Sequence, residues 1–260
     1  MEQHEHREQV SIPGELSSSC GWARSSFFDY NPNFLGSRIR LIESDRYVVF
    51  NSQIAVFMEV LDGMHLKSIE IGTADLVGRS HISELLKLPF SFDSLHLPPD
   101  AEKGSIRIKN KNLILDFSAM PQSSRLLKID YPLFGHGQGL RGVIVLSPPS
   151  EDAEALYTVN SWRKDKTAFR YTRKAPWYKA EGVIQFGDQE LVFGAGNSWA
   201  VMDWNRGIQA RTERRYWAAS CGLCGTRQVS FSFGYGGVVS GPGTENAFFI
   251  DGQLHKLNQV

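Results

Sequence analysis

Gly196-Asn-Ser-Trp-Ala-Val-Met-Asp-Trp-Asn-Arg-Gly-Ile208 is the stretch whose period decides the fold. Strand alternation puts Trp199, Val201 and Asp203 on one face and Ala200, Met202 and Trp204 on the other. The same mixture of aromatics, glycines and isolated charges continues through Arg215-Tyr-Trp-Ala-Ala-Ser-Cys-Gly-Leu-Cys224 and Val229-Ser-Phe-Ser-Phe-Gly-Tyr-Gly236. It ends in Thr244-Glu-Asn-Ala-Phe-Phe-Ile-Asp-Gly-Gln-Leu-His-Lys256, where Asp251-Gly252 supplies a hairpin turn and brings Phe249 close to Leu254.

Working outward, Ala168–Lys174 reads as a strand and Glu181–Phe193 as a hairpin. No amphipathic pattern of helical length follows Ser150. In the first half, Ser37–Ser44 and Tyr47–Val60 read as strands, the second long enough to bend or to be two, and Asp62-Gly63 signals a hairpin. Gly104–Ala119 is a further hairpin: Ile106 and Ile108 alternate with Arg107 and Lys109, and Leu113, Leu115 and Phe117 return with the same period. Ser80–Leu88, leucine-rich and placed before Pro89, is expected to be a short helix or an irregular segment. Trp22 and Phe27 are candidates to plug the open end of a β structure, or to sit in a loop with one buried aromatic. Short strands at this spacing argue an all-β barrel or sandwich.

The 260 residues suffice for one large β domain or two smaller ones. Pro148-Pro-Ser-Glu-Asp152 is the best joint, giving a flexible leader over 1–20, a first barrel-like domain over 21–149 and a second over 150–260. Lys+Arg and Asp+Glu are both 28, so no overall field draws the chain to nucleic acid or an anionic membrane. The basic run Arg211, Arg214, Arg215 with Tyr216 and Trp217 is interrupted by Glu213 and reads as a solvated face. The charged start is no secretory signal, and no apolar run reaches the roughly 20 residues needed to span a bilayer, so a cytoplasmic location is expected.

Three cysteines, Cys20, Cys221 and Cys224, make no disulfide framework. Cys221-Gly-Leu-Cys224 has redox or zinc spacing but lacks a second ligand pair and sits in β context, which makes it structural. Gly234-Tyr-Gly-Gly and Gly241-Pro-Gly lack the lysine and helix of a phosphate loop. Neither a metal cluster nor a cofactor motif is present, and no cofactor is expected. Asp203, on an apolar face, needs a partner, and Arg206 is the nearest cation in sequence. The pair is either a salt bridge closing a barrel end or an acid and anchor in a cavity. Glu245 is expected to approach Lys256 or His255, and His255 and His136 are acid–base candidates by residue type.

From Tyr171 onward the chain resembles the bacterial family known as domain of unknown function 2804. The resemblance rests on Tyr171-Thr-Arg-Lys174, Tyr178-Lys-Ala-Glu-Gly182, Met202-Asp-Trp-Asn-Arg-Gly207, Tyr216-Trp-Ala-Ala-Ser220, Phe231-Ser-Phe-Gly-Tyr-Gly236, Thr244-Glu-Asn246, Asp251-Gly252 and His255-Lys-Leu257. Upstream, Ile12-Pro-Gly-Glu-Leu16 and Gly21-Trp-Ala-Arg24 are similar to the family's opening. The family is distantly similar to lipocalin-like two-barrel proteins, which include carotenoid hydratases and natural-product cyclases. The resemblance implies two barrels in tandem with an apolar cleft. Cys221 and Cys224 stand where the family usually carries other residues. Family members also run on by several strands past Val260, so the second barrel is expected to lack part of its wall and to self-associate through an open edge.

The expectation is therefore an all-β chain of two lipocalin-like, partly open antiparallel β-barrels in tandem. It binds a small hydrophobic molecule in a barrel cavity or inter-barrel cleft, with Arg206, Trp217, Asn246, Trp204 and Tyr171 as ligand-binding residues. The first alternative is a hydratase or cyclase acting on an unsaturated, terpenoid-like substrate, with Asp203, Glu245 and His255 as catalytic candidates and an acid as proton donor. The second is a non-catalytic structural or interaction protein. A deep cavity with an unpaired carboxylate favours catalysis, and one whose carboxylates are all paired favours binding.

Overall fold

A computed structural model describes residues 8–9, 20–35, 38–89, 95, 97–162, 165–194, 196–211, 214–236 and 243–257. Apart from residues 8–9 and 20, the expected leader over 1–20 lies outside them, as do Gly241-Pro242 and Glu213.

The described residues form nineteen strands: β1 (Glu8–Gln9), β2 (Gly21–Ala23), β3 (Phe28–Asp29), β4 (Leu41–Phe50), β5 (Ile54–Gly63), β6 (Leu66–Asp75), β7 (Ser80–Leu88), β8 (Ile106–Lys109), β9 (Ile114–Ala119), β10 (Arg125–Tyr131), β11 (Leu140–Ser147), β12 (Leu156–Trp162), β13 (Asp165–Phe186), β14 (Gln189–Phe193), β15 (Trp199–Ile208), β16 (Arg215–Cys224), β17 (Arg227–Gly236), β18 (Ala247–Ile250) and β19 (Gln253–Lys256). The largest sheet is a curled antiparallel half-barrel in the order β7-β6-β5-β4-β15-β13-β11-β10-β9-β8, with β12, β14 and β2 attached. A second sheet runs β16-β17-β18-β19, and β1 and β3 pair in parallel. The expected all-β, partly open barrel architecture is present.

The spine is β13, 22 residues long. Its first half pairs with β12 on one edge and β15 on the other, and its second half pairs with β11 and β14. The register shifts between Ala175 and Tyr178, around Pro176, which has no N–H to give the ladder. The Pro148–Asp152 turn links β11 to β12, and the large sheet continues across it, because β15 forms a ten-pair ladder with β4.

One side of the half-barrel is core: Tyr47, Val49, Val56, Met58, Val60, Ile69 and Ile71 are all buried. Trp22 and Phe27 join this core, and Phe27 packs edge-on against Tyr171 at 6.1 Å between ring centres. The alternation expected of Ile106–Lys109 holds, with Ile106 and Ile108 buried and Arg107 and Lys109 exposed. Asp251 and Gly252 turn the β18–β19 hairpin with φ of 52° and 83°, and Phe249 lies opposite Leu254.

Two local expectations are corrected. Ser80–Leu88 is neither helix nor irregular: it is the edge strand β7, paired along its whole length with β6. Cross-strand pairing overrides a leucine-rich local preference. The β5–β6 hairpin turns at Met64-His65, since Asp62 and Gly63 still pair with Lys67 and Leu66.

Candidate functional site

Asp203 lies in the middle of β15, and its ladder neighbours are Lys174 on β13 and Arg46 on β4. Arg46 in turn faces Glu59 on β5. Four strands thus carry a row of alternating charge, Lys174, Asp203, Arg46, Glu59, on one face of the sheet. The second sheet meets this face. Glu245, just before β18, reaches Lys174 at 3.4 Å, and its other oxygen pairs with Arg215 of β16.

Lys174 is fully enclosed, Asp203 is buried, and the two are ion-paired. Asn205 Nδ2 donates to Asp203 Oδ1 at 2.8 Å, and its Oδ1 accepts from Lys174 and Arg215 at 3.5 Å. The Lys174 ammonium also sits over the Trp217 ring, 5.1 Å from its centre. Burial works to raise the Asp203 carboxyl, but attraction by Lys174 and Arg215 outweighs it and holds the group below the ordinary carboxylate range. Glu245 is lowered by the same contest. Burial, with Arg215, pushes the Lys174 ammonium down against the pull of Asp203 and Glu245.

The expected Asp203–Arg206 pair does not form. Strand β15 runs on through Ile208, so residues three apart point to opposite faces. Arg206 belongs to the core side. There it pairs with Asp45 at 2.8 Å and Glu43 at 3.7 Å, donates to the Pro98 carbonyl at 2.8 Å, and stacks on Trp204 at 4.3 Å. Burial raises the Glu43 carboxyl against Arg206.

The sequence-derived candidates therefore divide. Asp203, Glu245 and Trp217 meet around Lys174. Trp204 and Tyr171 pack together at 5.1 Å on the opposite side. Asn246 is engaged with backbone: its Oδ1 accepts from Gly234 N at 2.8 Å, and its carbonyl accepts from Lys256 and from Leu257 N. His255 lies opposite Phe248 and faces solvent, away from Glu245. Lys256 does lie within electrostatic reach of Glu245, and burial pushes its ammonium down to about 8. His136 is exposed in the turn Phe134–Gly137, where its own φ is 62°. Cys221 is buried, its thiol pushed up to about 12 by burial, while Cys224 is exposed.

A cleft of about 130 Å³ opens over the charged row. Asp203, Asn205, Arg46, Glu59, Arg170 and Arg215 supply its polar side chains and Ile42 an apolar wall, while Arg206 and Phe169 border it from strands on which their side chains turn to the core. Sequence reasoning passed over Lys174, Asn205, Arg46 and Glu59. The only signal for Lys174 was its place in the Tyr171–Lys174 motif, and the others show themselves only through long-range register. Burial raises the Glu59 carboxyl, opposed by Arg46 at 2.7 Å.

The family described as domain of unknown function (DUF2804) matches residues 1–260. The chain belongs to this family. Its members are therefore expected to share the half-barrel sheet. No curated protein matches the chain. Among solved structures, CghA with Sch210972 superposes with a TM-score of 0.53 at 11% identity, covering 83% of this chain and 59% of that one. A second CghA structure gives 0.51 at 15% identity, with the same coverage. Kievitone hydratase from Nectria haematococca gives 0.44 at 12% identity, over 82% of this chain and 63% of that one. The chain thus spans about three-fifths of the length of the CghA structures. At such identity the CghA likeness speaks for fold and not for chemistry. Among the described residues, no helix is long and apolar enough to cross a membrane, and no group of three or more His, Cys, Asp or Glu is placed to hold a metal ion.

Proposed function

We propose that the chain binds a small organic molecule in the cleft between the half-barrel and the second sheet. The polar head of that molecule meets Arg46, Arg170 and Arg215, and its hydrocarbon part lies against Ile42. The observation that carries this reading is the convergence of Arg46, Arg170 and Arg215 on one cleft whose two acids, Asp203 and Glu59, are ion-paired. A paired, ionised Asp203 is an anchor and cannot supply a proton near neutral pH. The cleft is small beside drug-sized sites of about 300–1,000 Å³, which suits a head group or a compact ligand. That CghA has been crystallised with Sch210972 supports small-molecule binding by the shared fold.

A second reading, hydration or cyclisation of an unsaturated substrate, draws support from Glu59 in place of Asp203. Its carboxyl lines the cleft and is raised by burial, the direction a proton donor needs.

Native mass spectrometry of protein purified without added ligand tests the binding reading. An adduct is expected on the wild-type chain and is expected to be lost in Arg46→Gln and Arg215→Gln. A screen of small organic acids and alcohols by thermal shift is the companion test. Absence of any adduct, and of any shift that these substitutions abolish, sinks the proposal. Turnover abolished by Glu59→Gln and retained by Asp203→Asn would establish the second reading.

A further inference from the structure

The core side of the half-barrel buries two arginines beside each other. Arg125 of β10 and Arg173 of β13 are each about 2% exposed. They lie within electrostatic reach of one another and of the Tyr47 and Tyr178 hydroxyls. Arg125 donates to the carbonyls of Gly104 at 2.6 Å, Ala101, and Glu102 at 2.9 Å, which ties the Ala101–Gly104 turn across the interior. Arg173 is served less well. Its Nη1 meets the thioether of Met202 at 2.8 Å, a weak acceptor, and its other contacts are the Tyr178 hydroxyl and the Tyr157 ring.

Three buried polar atoms here have no hydrogen-bond partner in the protein: Arg125 Nε, Arg173 Nε and the hydroxyl of Tyr47, a fully buried residue. Two acids lie within reach: Asp45, which also pairs with Arg206 at 2.8 Å, and Glu102, which accepts the Tyr157 hydroxyl at 2.6 Å; neither carboxylate hydrogen-bonds the two Nε donors. Two enclosed guanidiniums with free N–H donors and a spare phenol form a donor set for an oxyanion. A water molecule is the competing occupant, and it would leave the melting temperature indifferent to which anion is added.

We propose that the interior of the half-barrel is a second binding site, in which Arg125, Arg173 and the Tyr47 hydroxyl hold a small oxyanion of the carboxylate or phosphate kind. It lies on the opposite face of β13 and β15 from the cleft, since Arg173 and Lys174 are adjacent and alternate. It stands whether or not the cleft binds a ligand.

The test uses the full chain in a chloride buffer at fixed ionic strength. Sodium acetate, sodium phosphate and sodium chloride are titrated separately, and melting temperature and calorimetric heat are followed. A saturable stabilisation by acetate, phosphate or both, beyond the chloride control, is expected. Acetate alone assigns the site to the carboxylate of an organic acid, and phosphate alone to an inorganic or esterified phosphate. Tyr47→Phe preserves shape and removes one donor to a charged ligand, so affinity should fall about tenfold or more. Arg173→Met should abolish the response; if that variant fails to fold, Tyr47→Phe decides. The proposal is overturned if neither anion stabilises beyond chloride, or if Tyr47→Phe leaves the response unchanged. It is equally overturned if the response survives Tyr47→Phe and disappears in Arg46→Gln, which would place the anion in the cleft.

Discussion

Replacing Asp203 by Asn keeps the side-chain shape and deletes one charge of an enclosed pair. Lys174, fully buried, is then left with Glu245 at 3.4 Å as its nearest carboxylate, and Arg215 already competes for that group. Breaking a buried pair from one side costs about 3–5 kcal/mol. The remaining carboxylate and the amide oxygen of the new asparagine place this case near the lower end, about 3 kcal/mol. For a chain of this size, each kcal/mol moves the melting temperature by about 2–4 °C, so a fall of about 6–12 °C is expected. Urea denaturation should show a lower midpoint with an unchanged slope. The double variant Lys174→Met with Asp203→Leu should recover most of the loss, because replacing both ions with apolar groups is close to neutral. The pH dependence has a definite sign. The folded-state carboxyl of Asp203 lies below its unfolded value of about 3.9, so its contribution is complete above that pH and is lost as pH falls through the folded value. Asp203→Asn should therefore weaken the protein at neutral pH and flatten the acid limb of its stability curve. If Asp203→Asn stays within about 1 kcal/mol of wild type, or the double variant is no better than the single, the pair is not the buried device described.

Three further outcomes follow from local geometry. Gly207 has φ of +151°, and a Cβ there would sit 2.1 Å from the Phe169 carbonyl oxygen, so Gly207→Ala should cost at least about 2 kcal/mol in urea denaturation. In the native protein, iodoacetamide followed by peptide mapping should label Cys224 and leave Cys221 more than about tenfold slower, the difference vanishing on unfolding. Solvent-facing His255→Ala should change stability by less than about 0.5 kcal/mol and leave cleft binding untouched; a large effect on either would restore it to the site.

Period-two alternation made the β15 faces, the β8–β9 hairpin and the β18–β19 turn legible, because each is set by neighbours in sequence. The curled sheet was legible as a class. Its wiring was not: Asp203 meets Arg46 because β15 pairs with β4, more than 150 residues upstream, and nothing local encodes that register. The site suffered from the same limit. Asp203 was found as a buried charge in need of a partner, yet its partner was assigned by nearness in sequence to Arg206, which the alternation of β15 sends to the other side. Glu245 and Trp217 reached the site through the docking of the second sheet, and Lys174 lay inside a recognised motif without a role. Ser80–Leu88 was misread because an edge strand takes its form from the strand beside it.

The long β4–β15 ladder has a kinetic meaning. The hairpins β4–β5–β6–β7, β8–β9–β10–β11 and β13–β14 can each close over short loops. The ladder that joins the first of these groups to the spine pairs Leu41 with Ile208, and it cannot form until β15 exists. Loop-closure entropy for such a span is spent before any contact repays it, so folding should be slow for the chain's size, on the scale of non-local β proteins. During synthesis, β4 must wait with one edge uncovered until β15 has emerged. At about 5–20 residues per second that interval lasts roughly 8–30 s, and the buried charges of Glu43 and Asp45 then serve as a brake on premature pairing of that edge with another chain.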